Sequence, residues 1–166
     1  MYTTFKELHE NAACTPSYRK LAKSLGGVRG YGRETPIPLS KILDICGIED
    51  CFWVLRRLPL TDENKRDLRL LACDFAESTL SIFESEHPDD KRPRKAIRVS
   101  RQYAIGGATK CELAAAWDAA RDAAWAAAWA AAGAAARGAA WAAAGAAETA
   151  KQCAATREVL TKWEQL

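Results

Sequence analysis

At 166 residues the chain is long enough to bury a core without disulfides or metal, and its formal net charge of +3 is too small to mark the whole chain as a nucleic-acid binder. Six cysteines (Cys14, Cys46, Cys51, Cys73, Cys111, Cys153) form no C-x-x-C pair and have only His9 and His87 to join them, so no zinc site and no resident cofactor is expected. The N-terminal MYTTFKELHEN holds no hydrophobic signal region, which makes a reducing cytoplasm the expected location.

The first expected helix starts at a capping box, Thr4 with Glu7, and carries Phe5 and Leu8. A second starts at Thr15-Pro16, puts Tyr18, Leu21, Ala22 and Leu25 on one face, and ends at Gly26-Gly27. The following GGVRGYGRETPIP is irregular and presents Arg29, Tyr31 and Arg33 as a cationic and aromatic edge, a candidate anion-holding loop without P-loop spacing. Pro38–Cys46 and Ile48–Leu58 read as two further helices, closed by Gly47 and Pro59. The second is apolar all round at CFWVL, so Trp53 is expected in the core.

Leu60 to about Ser85 is the most regular amphipathic segment, with Leu68, Leu71, Ala72, Phe75, Thr79, Ile82 and Phe83 on its apolar face and Asp62 placed to pair with Arg66. Another helix is expected from Pro93 to Gly106-Gly107. On it Arg94, Arg98 and Arg101 follow the i, i+4, i+7 spacing of one face, which could grip phosphate or carboxylate, or pair with nearby acids.

A third capping box, Thr109 with Glu112, opens an alanine-rich stretch to Glu148. It lacks Leu, Ile, Val and Phe from Ala114 to Ala147, so it reads as a packed helix or helix pair rather than a membrane span. WAAAGAA occurs at Trp129 and Trp141, and Gly133 and Gly145 leave notches that an indole could fill. With Trp125, these residues are the expected contacts of a homo-oligomer. Polarity returns from Glu148, with Val159, Leu160 and Trp163 as a last apolar face. The expectation is one all-α domain over 1–166, a multi-helix bundle organised around the long Ala/Trp-rich C-terminal helix or helix pair. Its segments are 1–35, 36–108 and 109–166.

At FESEHPDDKRPRKAI the chain resembles the immunity proteins found beside bacterial polymorphic toxins, and their alanine-rich relatives carried by phages. Cys73, Asp89, Asp90, Arg92, Pro93, Arg94, Ala96 and Ile97 match the family pattern. Upstream, Gly47, Asp50, Trp53, Leu55 and Arg56 agree with the phage relatives, whereas Glu49, Cys51 and Phe52 depart. The resemblance spans Pro36 to the C-terminus. It implies an all-helical, non-enzymatic protein of biological conflict and carries over no catalytic residue.

Two functions are compatible with these residues. One is a stoichiometric inhibitor whose partner is a toxin or a host defence effector. The other is a phage sponge for a nucleotide signalling molecule, with arginines on phosphate and aromatics on the base. Arginines and aromatics serve both protein hot spots and nucleotide pockets, so Arg94, Arg98, Arg101, Arg29, Tyr31 and Arg33 are the candidates in either case. Neither reading calls for a membrane or for nucleic acid.

Overall fold

The computed structural model describes residues 1–131 and 138–165, with side chains outside 122–146. Helix makes up 74% of the chain, and the architecture is all-α. The packing expected of Trp125, Trp129, Gly133, Trp141 and Gly145 lies outside the described residues and side chains. The all-α expectation holds but for one pair of two-residue strands, β1 (Tyr2–Thr3) and β2 (Ile37–Pro38), paired antiparallel.

Two compact units divide the chain: Met1–Pro59 with Thr149–Leu166, and Leu60–Glu148. The first unit holds β1, α1 (Phe5–Glu10), α2 (Thr15–Ser24), α3 (Val28–Tyr31), β2, α4 (Leu39–Cys46), α5 (Ile48–Leu55) and the later part of α9 (Gly138–Glu164). Thr4 and Glu7 form the expected capping box at α1. Gly47 joins α4 directly to α5 at φ +99°, a conformation that a Cβ would strain. The core is made by Phe5, Leu21, Ile37, Leu39, Ile42, Cys51 and Leu55, with Leu160 and Trp163 from α9. Trp53 does not join it. Its indole is half-buried and the Arg57 guanidinium lies 3.6 Å from the ring centroid, because a long amphipathic side chain at a helix surface keeps one face for a cation. The α9 segment is fastened at both ends of α4. Glu164 accepts from the Ser40 N–H (3.1 Å) and hydroxyl (2.9 Å), and Arg157 pairs with Asp44.

The second unit holds α6 (Asp62–Glu86), α7 (Arg92–Ala104), α8 (Lys110–Ala131) and the start of α9. A capping box of Thr61 and Asn64 opens α6. The expected Asp62–Arg66 pair is replaced by Lys65 with Asp62 and Arg66 with Glu63, since positions three apart also face one another on a helix. Thr109 and Glu112 cap α8 as expected, with the Thr109 N–H donating to the Glu112 carboxylate at 2.7 Å. α7 packs against both α6 and α8. Among the described side chains, the buried apolar set of this unit is small: Leu71, Cys73, Leu80, Ala96 and Ala116.

Candidate functional site

The apolar face of α6 is only partly covered. Leu71 and Leu80 are buried, but Ala72, Ala76 and Thr79 are exposed and Ile82 is 45% exposed. Periodicity marks this face as apolar, and the structure shows it as a wall of an open groove rather than as core. Pro93, Ala96, Ile97 and Ser100 of α7 form a second wall, and Leu113, Trp117 and Ala120 of α8 form the third. The groove encloses about 910 Å³, within the size range of ligand and docking clefts. Ala72, Ala76 and Thr79 are small, so the gap between α6 and its neighbours is left open along that line.

The turn before α7 sets the third dimension. Asp90 accepts from the Arg92 N–H at 3.0 Å and from its guanidinium at 2.6–3.1 Å. The Arg92 hydrogen bonds hold the Asp90 carboxyl down at a pKa of about 2. From that turn α7 runs back along α6, and two of its arginines close the seam. Arg94 is bidentate to Glu84 at 2.7 and 2.6 Å, and Arg101 reaches Asp74 at 2.7 Å and Glu77 at 2.5 Å. These hydrogen bonds lower the Glu84 pKa and raise those of both arginines. Arg98 is exposed and makes no ion pair among the described residues.

Trp117 is the most prominent side chain at the groove. Its indole N–H donates to the Ser100 hydroxyl at 3.1 Å, bridging α8 to α7, while 64% of the residue remains exposed. Three charged residues touch the walls. Asp118 and Arg121 pair at 3.1 Å, and the Arg69 guanidinium lies 5.1 Å from the Tyr103 ring centroid. Cys73 lies at the floor with its thiol toward the Ile97 carbonyl at 3.9 Å, and burial pushes its pKa up.

Arg29, Tyr31 and Arg33 belong to the first unit, so the six residues singled out from the sequence fall in two separate units. Tyr31 donates its hydroxyl to the Pro36 carbonyl at 3.0 Å and sets its ring edge-on to Phe5. Arg29 and Arg33 are exposed. Among the described residues no group of three His, Cys, Asp or Glu side chains could hold a metal ion, and no helix is long and apolar enough to cross a membrane.

The family model of the Imm-5 like putative immunity protein matches residues 58–156. The chain belongs to this immunity protein family. The matched span takes in every groove residue, from Leu68 to Arg121, together with the Asp89–Ile97 turn that carried the resemblance. The upstream element from Gly47 to Arg56 lies outside it. No curated protein and no solved structure matches this immunity protein.

Proposed function

We propose that this immunity protein protects as a stoichiometric inhibitor, occupying a toxin through the groove of α6, α7 and α8 and catalysing no reaction. The observation that carries the reading is Trp117, a largely exposed indole on the wall of an apolar groove inside the family-matched span. Tryptophans in apolar surroundings are the side chains that most often dominate protein–protein affinity. A monomeric protein rarely leaves such a surface open unless something binds there. A host defence effector would be met by the same surface if the chain serves a phage. The nucleotide-sponge reading gains less support. Arg94 and Arg101 are held by acids of α6, and the groove walls are mostly apolar.

A survival screen tests the proposal. Polymorphic-toxin domains are expressed one at a time with and without the chain, and any rescued toxin is titrated against the purified protein. The expected outcome is a 1:1 complex by native mass spectrometry and loss of toxicity only near equimolar ratio. Neutralisation of a large molar excess of toxin would show catalysis and overturn the reading, as would rescue unaffected by Trp117→Ala. A second copy of the chain in the groove would appear as a dimer that the toxin cannot displace.

A further inference from the structure

The net charge of +3 is an average over two dissimilar parts. The first unit carries twelve basic and eight acidic residues, the second twelve and thirteen, so the positive excess belongs wholly to the first unit. It is concentrated further. Residues 11–33 hold Arg19, Lys20, Lys23, Arg29 and Arg33 and no acidic residue. All five are exposed, and none has an ion pair among the described residues.

The placement on α2 is specific. Leu21 is 2% exposed and marks the inner face of the helix. At 100° per residue Arg19 and Lys23 lie on the far side, one turn apart, and Lys20 lies on the flank, 100° from Leu21. Gly26 and Gly27 follow at φ +80° and +88° and turn the chain into α3, which carries Arg29, with Arg33 two residues beyond its end. Arg19 and Lys23 repel one another at this spacing, while Arg33 is offset in part by the neighbouring Glu34 carboxylate.

We infer that the outer surface of α2 and α3 is a binding site for the phosphate backbone of nucleic acid. Its composition separates this ligand from an acidic protein. Protein interfaces favour aromatic and arginine anchors and are depleted of lysine, whereas nucleic-acid interfaces are dominated by positive charge, so Lys20 and Lys23, with no exposed aromatic beside them, are the residues that favour phosphate. The exposed large hydrophobic residues of the described chain are Tyr2, Ile82, Ile105 and Trp117, and none falls within residues 11–33. The surface offers cations without an apolar anchor. All of it lies outside the family match at 58–156, so the site is additional to the immunity role.

Fluorescence anisotropy of the full chain with labelled uridine and thymidine oligonucleotides of about 20 nucleotides tests this, the length covering a typical single-strand site. With three to five phosphate contacts, affinity should fall roughly 20- to 130-fold between about 50 and 200 mM salt. The variant Arg19→Glu/Lys20→Glu/Lys23→Glu should abolish binding, and Lys95→Glu/Arg98→Glu on α7 should leave it unchanged. If the triple reversal disturbs helix content, Arg19→Gln/Lys23→Gln keeps the test, and should weaken binding and flatten the salt slope. Equal affinity for RNA and DNA fits a backbone site, and a preference for one identifies the source. No binding at low salt, loss through the α7 variant alone, or tighter binding to poly-L-glutamate than to either oligonucleotide would overturn the inference.

Discussion

Leu160→Ala measures how far the first unit depends on the segment that returns to it from α9. Leu160 is 1% exposed, and its neighbour one turn earlier, Thr156, is also 1% exposed with its hydroxyl donating to the Gln152 carbonyl at 2.7 Å. Removing a leucine side chain this buried forfeits its transfer free energy and leaves a cavity, together about 2–5 kcal/mol. A unit of this size has roughly 4–12 kcal/mol of stability to lose, so a large share should disappear. Urea unfolding followed by tryptophan fluorescence gives the total. Hydrogen exchange locates it, and protection should fall in α4 and α5 while α7 is less affected. Glu164→Ala should act in the same direction by about 1 kcal/mol, because the Ser40 N–H and hydroxyl lose their acceptor. A Leu160→Ala loss below about 1 kcal/mol, well under the usual leucine range, would refute the placement of α9 in this core.

Trp117→Ala should cost only about 1 kcal/mol of stability, chiefly its Ser100 hydrogen bond, yet weaken a neutralised toxin at least about 30-fold by calorimetry. Maleimide labelling at neutral pH should reach the exposed Cys14 and Cys111 first, and mass spectrometry should find Cys51 unmodified until denaturant is added. Burial, aided by nearby Cys153 and Glu164, pushes the Cys51 pKa up to about 12, so it holds almost no thiolate. Asp90 should titrate near pH 2 by NMR, and Arg92→Ala should return it toward the ordinary 3.8. Its folded pKa is depressed, so its contribution to stability is present above the ordinary value and is lost as pH falls from about 4 through about 2.

Local chemistry was readable and distant pairing was not. Thr4–Glu7 and Thr109–Glu112 are bonds across three residues, so the spacing alone predicts them. Thr61–Asn64 obeys the same geometry but uses the shorter asparagine where the usual pattern has glutamate or glutamine, so the motif does not announce it. The apolar stripe of α6 was evident, but periodicity says which face is apolar and not whether anything covers it. That is why Ala72 and Thr79 read as core and stand in an open wall, and why Ile82 is exposed. The i, i+4, i+7 spacing of the α7 arginines is plain in the sequence, whereas the pairing of Arg94 with Glu84 and Arg101 with Asp74 exists only once α7 doubles back on α6. Strands of two residues are too short to show alternation. The bonds of Ser40 to Glu164 and Asp44 to Arg157 join residues more than 100 apart, beyond any motif.

α9 also fixes the order in which the protein can be built. Its residues after Glu148 complete the core begun by Phe5 and Leu39, while everything needed for α6, α7 and α8 is already translated by Ala131. On the ribosome the N-terminal residues therefore wait, unfinished, until Leu160 and Trp163 emerge, and the groove-bearing unit has the opportunity to fold ahead of them. In that order the groove-bearing unit is assembled first and the basic unit last, the reverse of the usual N-to-C order.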